Sequence, residues 1–566
     1  VTPTSAEFIA AQLPFGGLLY TNDNNQYSYN IQNKLQFSKA FNPDNRLNAL
    51  LGMELRSSSA KGTANKVWGY VPDRGERIVA PTIPSEVITP NNPPTGWGIL
   101  GDIYSRGWQR TDNTNNFLSF FATFAYSFKN RYVVNANVRN DASNVFGQDI
   151  NHRIDPTYSF GLSWRASEEA FFQKHLKWIT TLNFRGTFGI QGNALTRESP
   201  ELILSQQGVQ PGYNRYFSTI GQIPNPYLSW ERTRNWNFGV DLELFRMFYM
   251  NLEYYTRRSN AVITVDLPFE YGIDDMKRNG GIIYNRGIEY TLSFTPIQKR
   301  DFSLNINLNA SKNWNKGGET KIDRNTAMYL RGGSTQILKE GYPLSAFWSY
   351  SFAGLDGSNG KPMFNYVEVP DEEKSKSIDP TTYLVYSGET EPYFTGGLGF
   401  SFRYKSLSLN TSFSLLLGSK KRLPSPYSDF QGSGSMMPDP TKNVNRDLLN
   451  RWQKPGDEAY TNIPGLPTWP IEIGWTLPNT DSAESSIKMW EQSDAMVVSG
   501  SFLRCRNIGL SWQMKKEWCD KIHAKNLAIN FNMDNIFVIA SKRFNGLDPE
   551  LENSIMPRSF SLGLNI

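Results

Sequence analysis

The stretch Phe302-Ser-Leu-Asn-Ile-Asn-Leu-Asn-Ala-Ser311 alternates without a break. Phe302, Leu304, Ile306, Leu308 and Ala310 fall on one set of positions, and Ser303, Asn305, Asn307, Asn309 and Ser311 on the other. A two-residue period puts each set on its own face of a β-strand, whereas a helix would scatter both around its axis. The polar face carries amides and hydroxyls rather than Lys and Glu, so it can hydrogen-bond without bearing charge. The split recurs where Leu407, Leu409, Phe413, Leu415 and Leu417 oppose Ser408, Asn410, Ser412 and Ser414. It recurs again where Leu527, Ile529, Phe531 and Met533 oppose Asn526, Asn530, Asn532 and Asp534, and where Phe560, Leu562, Leu564 and Ile566 oppose Ser559, Ser561 and Asn565.

Composition agrees with that pattern. Aromatic residues make up 14% of the 566 residues while all apolar residues reach only 39%, so apolar and polar side chains are interleaved rather than segregated. No run approaches the roughly eighteen apolar residues of a transmembrane helix. A closed barrel needs only about ten alternating residues per strand and satisfies every backbone group between strands. The net charge of +5 is spread over 58 basic and 53 acidic residues with no basic block, so the sequence offers nothing to nucleic acid. Cys505 and Cys519 form no metal-type cluster, which suits an oxidising compartment where free thiols are few.

A soluble β-sandwich also alternates, but two features favour a membrane barrel. Many strands end in aromatics, such as Tyr126, Phe128, Tyr254, Tyr255 and Tyr404, as an interfacial girdle requires. Tight turns at Asn42 to Asn45, Lys129 to Asn130, Pro296 to Arg300 and Lys405 to Ser406 alternate with long connections at Ser59 to Asn115, Asp356 to Pro392 and Gly418 to Ser499. Short turns on one side and long loops on the other are the outer-membrane arrangement, with the turns periplasmic. The expected fold is therefore an all-β transmembrane antiparallel barrel of about seventeen strands. The first lies near Gln26 to Ala40 and the last at Arg558 to Ile566; residues 1–25 are expected in an extracellular loop and 26–566 in strands and their loops.

Several segments resemble SusC-type TonB-dependent outer-membrane transporters. They are Tyr132 to Gly147 (YVVNANVRNDASNVFG), Pro156 to Phe171 (PTYSFGLSWRASEEAF), Leu182 to Asn193 (LNFRGTFGIQGN) and NPYLSWE from Asn225 to Glu231. In the same order follow NRGIEY from Asn285, PYFTGG from Pro392, NRW from Asn450, SFLRCRNI from Ser501, DNIF from Asp534, GLDPE from Gly546 and PRSFSLGLN from Pro557. Departures are Ala142 where the family carries Gly, Cys505 where it carries a basic or apolar residue, and an end at Ile566 without a terminal aromatic.

The resemblance implies TonB-dependent import of an oligomeric nutrient, an oligosaccharide or a peptide. It also implies a SusD-type surface lipoprotein as a lid on the long-loop side. TonB would act through a plug lying N-terminal to Val1. Barrels of this kind are rings of about twenty-two strands, so an N-terminal part of the same barrel is expected to supply about five more and complete the ring in outer-membrane lipid. The alternative from another class is a structural or assembly subunit that keeps the fold without transport.

No enzyme site, metal centre or cofactor is expected. His152, His175 and His523 lie in loops or turns, with only Asp149 and Asp155 near His152, and no nucleophile stands beside a base. The LDGSNG run from Leu355 to Gly360 reads as a turn built on Asp356 and Asn359 rather than a calcium loop. Candidate substrate-binding residues are the loop aromatics Trp68, Tyr70, Trp97, Tyr213, Tyr216, Trp469 and Trp475, whose flat faces suit sugar rings or peptide side chains. Packing against each other or against a lid is the alternative use of such residues. Lumen-facing Glu253 and Glu289, and with them Asp534, are alternative candidates for substrate binding, although lining a wet pore is what polar barrel residues do in any case.

Overall fold

A computed structural model describes residues 17–72, 77–78, 108–144, 154–193, 201–210, 215–273, 275–318, 330–331, 339–365, 380–427, 443–466, 473–476, 483–551 and 554–566. Fifteen strands follow one another in a single antiparallel path. They are β1 (Gly17–Asn42), β2 (Asn45–Val71), β3 (Trp108–Phe128), β4 (Tyr132–Ser143), β5 (Ile154–Arg165), β6 (Ile179–Asn193), β7 (Glu231–Leu244) and β8 (Phe248–Asp266), followed by β9 (Asp275–Gln298), β10 (Phe302–Gly317), β11 (Phe394–Tyr404), β12 (Leu407–Leu417), β13 (Phe502–Gln513), β14 (Ala528–Ala540) and β15 (Ser559–Asn565). The two-residue piece Arg77–Ile78 pairs with β2 and brings the sheet to sixteen strands. Among the described residues no helix is long and apolar enough to cross a membrane.

The register turns the alternation of single strands into continuous rows. Leu242, Met250, Leu292, Leu308, Leu398 and Phe413 are successive cross-strand partners from β7 to β12. One residue away, Asp241, Asn251, Thr291, Asn309, Gly397, Ser414 and Arg504 form a polar row from β7 to β13. A slip of one residue would exchange the two faces, so the pattern fixes the pairing. The tight turns obey the same economy. Lys129 and Asn130, and likewise Phe245 and Arg246, have positive φ, the two-residue hairpin geometry whose twist matches that of the strands. Where large side chains lie across the polar face, glycine makes room. A Cβ on Gly52 would fall 2.2 Å from the Phe121 ring, and one on Gly287 would fall 2.3 Å from the Tyr255 ring.

Three expectations need correction. Among the described residues the path holds fifteen strands rather than about seventeen, and the runs Ile203–Gln210 and Arg215–Gln222 pair with each other outside the wall. The first strand begins at Gly17 rather than Gln26, so residues 17–25 are strand and not loop. The loop expected from Ser59 is likewise strand as far as Val71, and its return begins at Trp108. β1 and β2 run for 26 and 27 residues, about two and a half times the roughly ten that a crossing needs. Their upper halves, rich in Asn, Ser and Thr, show no apolar alternation, yet the backbone ladder continues from Gln26↔Ala60 to Leu18↔Trp68.

The other long connections are built structures. Residues from the β10–β11 and β12–β13 connections share two cores, one around Trp348, Tyr350, Leu384 and Met489 and one around Tyr427, Leu448, Ile487 and Trp490.

Candidate functional site

The polar face is the candidate site, and its charged groups are fixed in place. On β4 the Arg139 guanidinium donates to both oxygens of Asp141 (2.8 and 3.0 Å), to Glu54 Oε2 on β2 (3.1 Å) and to Ser119 Oγ on β3 (2.8 Å). On β6, Arg185 lies 3.0 Å from Glu253 on β8 and 3.3 Å from Asp241 on β7. Between these clusters Thr123, Asn137, Thr157, Gln191 and Asn235 line a concavity of about 770 Å³ whose loop end carries Trp230. Trp230 is held there by the NPYLSW segment. Asn225 Nδ2 donates to the Lys277 carbonyl (2.8 Å), Ser229 and Asn279 exchange two hydrogen bonds of 2.9 Å, and Leu228 is fully buried.

A second cluster joins two distant motifs. Arg504 lies on the polar face by strand alternation, and Arg506, the extra residue at the register shift between Cys505 and Asn507, reaches the same acids. Arg504 Nη2 lies 2.7 Å from each oxygen of Asp548 and 2.9 Å from Glu550 Oε2, and Arg506 lies 3.0 Å from Glu550 Oε1. Segment 541–551 is thereby tied to the polar face of β13. Cys505 points the other way, fully buried, between partners Phe413 and Phe537, whose rings meet at 6.5 Å.

Of the sequence candidates, Glu253 and Glu289 come together as direct cross-strand partners on the polar face. Glu253 is neutralised by Arg185 and also accepts from Asn237 (3.2 Å). Asp534 accepts from Asn507 (2.7 Å) and Ser559 (2.9 Å). Trp68 and Tyr70 sit at the upper end of β2, paired with Leu18 and Gly17, and not in a loop. Tyr216 and Trp475 belong to short hairpins outside the wall. Trp97, Tyr213 and Trp469 lie outside the described residues, as does His152. The loop aromatics best placed by the fold, Trp348, Tyr350, Tyr427 and Trp490, pack into the loop cores instead of opening to solvent.

Those cores enclose Arg422, whose guanidinium donates to the carbonyls of Arg331 and Trp348 and to Ser349 Oγ. Burial, with Arg331 beside it adding in the same direction, pulls its pKa down to about 10. On the opposite side of the wall Glu169 accepts from Tyr132 Oη (2.6 Å), Trp164 Nε1 (3.2 Å) and Arg131 Nη1 (2.9 Å). These contacts, the Tyr132 hydroxyl foremost, hold its carboxyl below the usual range against the opposing effect of burial. Asp356 accepts from the backbone and side chain of Ser358 and from Asn359, the geometry of a turn. Among the described residues no group of His, Cys, Asp or Glu is placed to hold a metal ion.

Sequence reasoning missed the arginines of the polar face. A signal existed, since Arg139, Arg185, Arg504 and Arg506 all lie within the segments that carry the family resemblance. Their partners are set by register and by a loop returning to the wall, neither of which is visible along the chain.

The chain resembles known proteins throughout. It is 26% identical over 480 residues to the TonB-dependent receptor SusC of Bacteroides thetaiotaomicron, which covers 80% of this chain and 44% of that protein. It is 23% identical over 576 residues to TonB-dependent receptor P26 of Formosa agariphila, covering 96% of this chain and 53% of the relative. The chain thus spans about half the length of the curated relatives it matches. Its fold matches the structure of the RagAB peptide transporter with a TM-score of 0.72 at 20% identity, over 97% of this chain and 56% of that one. These are receptors and transporters of the outer membrane rather than enzymes. With residues 4–536 matching the model of the TonB dependent receptor-like β-barrel, the chain belongs to that family and forms an outer-membrane barrel wall of SusC type.

Proposed function

We propose that this wall serves TonB-dependent import of an oligosaccharide or peptide, captured beneath a SusD-type surface lipoprotein that rests on the long-loop side. The observation that carries the reading is the polar face itself. Its rows of Asn, Ser, Thr and Gly offer donors and acceptors along the whole wall, so a polar oligomer can be exchanged from one hydrogen bond to the next, and Arg139 and Arg185 each hold two carboxylates in fixed contacts. The folded loop cores give a lid a defined surface to rest on, and built loops of this length are usually functional.

Closure of the ring is part of the same proposal. The outer edges of β1 and β15 have no partner strand among the described residues. An odd number of strands leaves β1 and β15 running in the same direction, so an antiparallel ring needs an odd number of further strands. For a ring of about twenty-two, seven are needed, the parity anticipated from five. Open edges in lipid cost several kcal/mol for each unpaired group, so we assign the missing strands, with the plug, to an N-terminal part of the same barrel.

Uptake of labelled oligosaccharides and peptides, compared between cells with and without TonB, tests the reading. Import should be lost without TonB and with deletion of the lid lipoprotein. Uptake that survives loss of TonB would refute the reading, and no uptake despite an intact plug would favour a structural or assembly subunit instead.

A further inference from the structure

The apolar face of β7 to β10 changes character row by row. Val240, Leu252, Tyr290 and Ala310 are direct cross-strand partners, and the next row up is Phe238, Tyr254, Ile288 and Lys312. Above it stand Trp236, Thr256, Arg286 and Trp314, and above those Arg234, Arg258, Tyr284 and Lys316. Five cations thus project outward from four neighbouring strands, and these sixteen positions include no acid. Arg234, Arg258, Arg286 and Lys316 are exposed, and none is held in an ion pair among the described residues. Arg234 directly faces Arg258, and like charges placed opposite each other destabilise a ladder unless something neutralises them.

Height identifies what that is. From Leu244, beside the tight turn, to Arg234 the strand climbs ten residues. That is about 33 Å along the strand and about 25 Å along the membrane normal at the usual tilt. The apolar band of such barrels is about 25 Å tall, so the cationic row lies at the headgroup level on the long-loop side. Arginine at that depth is tolerated, whereas at the midplane it is costly. Within the patch Tyr254, Tyr284, Arg286, Trp314 and Lys316 bound an open depression of about 790 Å³, with Glu340 on its loop margin. The Lys312 ammonium lies over the Trp314 ring at 4.9 Å and the Tyr393 ring at 5.5 Å.

We propose that this face is a binding site for the phosphorylated headgroup of an outer-leaflet glycolipid, whose acyl chains cover the apolar rows beneath. Guanidinium groups match phosphate oxygens two at a time, and the rings between them suit the flat faces of sugars. An occupant of a surface that is cationic above and apolar below must be amphiphilic and lie in the leaflet.

The test uses the full-length protein in phosphatidylcholine nanodiscs, titrated with phosphorylated lipid A or with the same lipid after phosphate removal. Folding is checked by heat-modifiable mobility. The variant R234Q/R258Q/R286Q/K316Q should bind phosphorylated lipid A at least tenfold more weakly, and wild type should bind the dephosphorylated lipid no better than that variant does. Arg257→Gln, a cation on the polar face over the Tyr255 ring, should bind like wild type. If the quadruple variant does not fold, R234Q/R258Q and R286Q/K316Q should each lose affinity separately. Equal binding of the two lipids, undiminished binding by folded variants, or loss of a co-purifying protein in place of lipid would overturn the proposal.

Discussion

Replacing Arg504 with Met removes the cation that ties segment 541–551 to β13. Arg504 and Asp548 are 2% and 4% exposed, so the substitution strands a carboxylate in a place water scarcely reaches. Breaking one partner of a buried pair costs roughly 3–5 kcal/mol. Arg506 still neutralises Glu550, which favours the lower end, about 3 kcal/mol. Since about 1.4 kcal/mol is tenfold, local opening should become roughly 150-fold more frequent. Hydrogen exchange on the folded full-length protein reads this directly. Amides of 541–551 should lose about two orders of magnitude of protection while β10 and β11 keep theirs. The double variant Arg504→Met/Asp548→Leu removes both charges and should recover most of the loss, because apolar replacement of a buried pair is often neutral. A change below threefold in the single variant, or a double variant showing the sum of two losses, would refute the reasoning.

Gly287→Ala should destabilise the wall by about 1–3 kcal/mol, because its Cβ meets the Tyr255 ring at 2.3 Å, and Tyr255→Leu in the same chain should relieve much of that in denaturant titrations. Trp490→Ala, at a fully buried ring whose Nε1 donates to the Asn462 carbonyl (2.8 Å), should cost the loop cores about 3–5 kcal/mol; proteolysis in 446–466 should rise while the barrel's own unfolding transition stays put. Glu169 has a lowered folded pKa, so its stabilisation of the turn at 166–176 is present above the ordinary carboxylate pKa of about 4.5 and fades as pH falls through the lowered value. Protection factors in 166–176, which take out the intrinsic slowing of exchange toward acid, should therefore fall as pH falls, and Glu169→Gln should remove that acid dependence; an unchanged profile in the variant would assign the acid limb to another group.

The fold was legible where burial writes a period into the chain. Phe302 to Ser311 and Leu407 to Leu417 each meet one apolar and one polar environment, and the structure places them in β10 and β12 with the partners their alternation requires. Pairing without burial leaves no such mark. The upper ladder of β1 and β2 is held by backbone hydrogen bonds between Asn, Ser and Thr, so its nine extra residues at Gly17 to Asn25 read as loop. The site was less legible than the fold. Glu253 and Glu289 could be placed inward from parity alone, but Arg185 reaches Glu253 only because β7 stands between them. Arg504 and Asp548 are 44 residues apart and meet because the chain after β14 comes back to the polar face. Aromatic loops suggested substrate contact, yet Trp348 and Trp490 serve their own cores.

Transport, the polar site and the lipid patch all rest on one assignment of faces, with Asn307 turned to an aqueous lumen and Leu308 to lipid. Single cysteines at these adjacent positions of the full-length protein in its native membrane test it most directly, with Cys505 and Cys519 both buried and so contributing little background. A membrane-impermeant thiol reagent should label Asn307→Cys at least tenfold faster than Leu308→Cys, and a lipid-soluble quencher should reach a label only at 308. The reverse order, or equal labelling at both positions, would contradict the barrel wall described for β10.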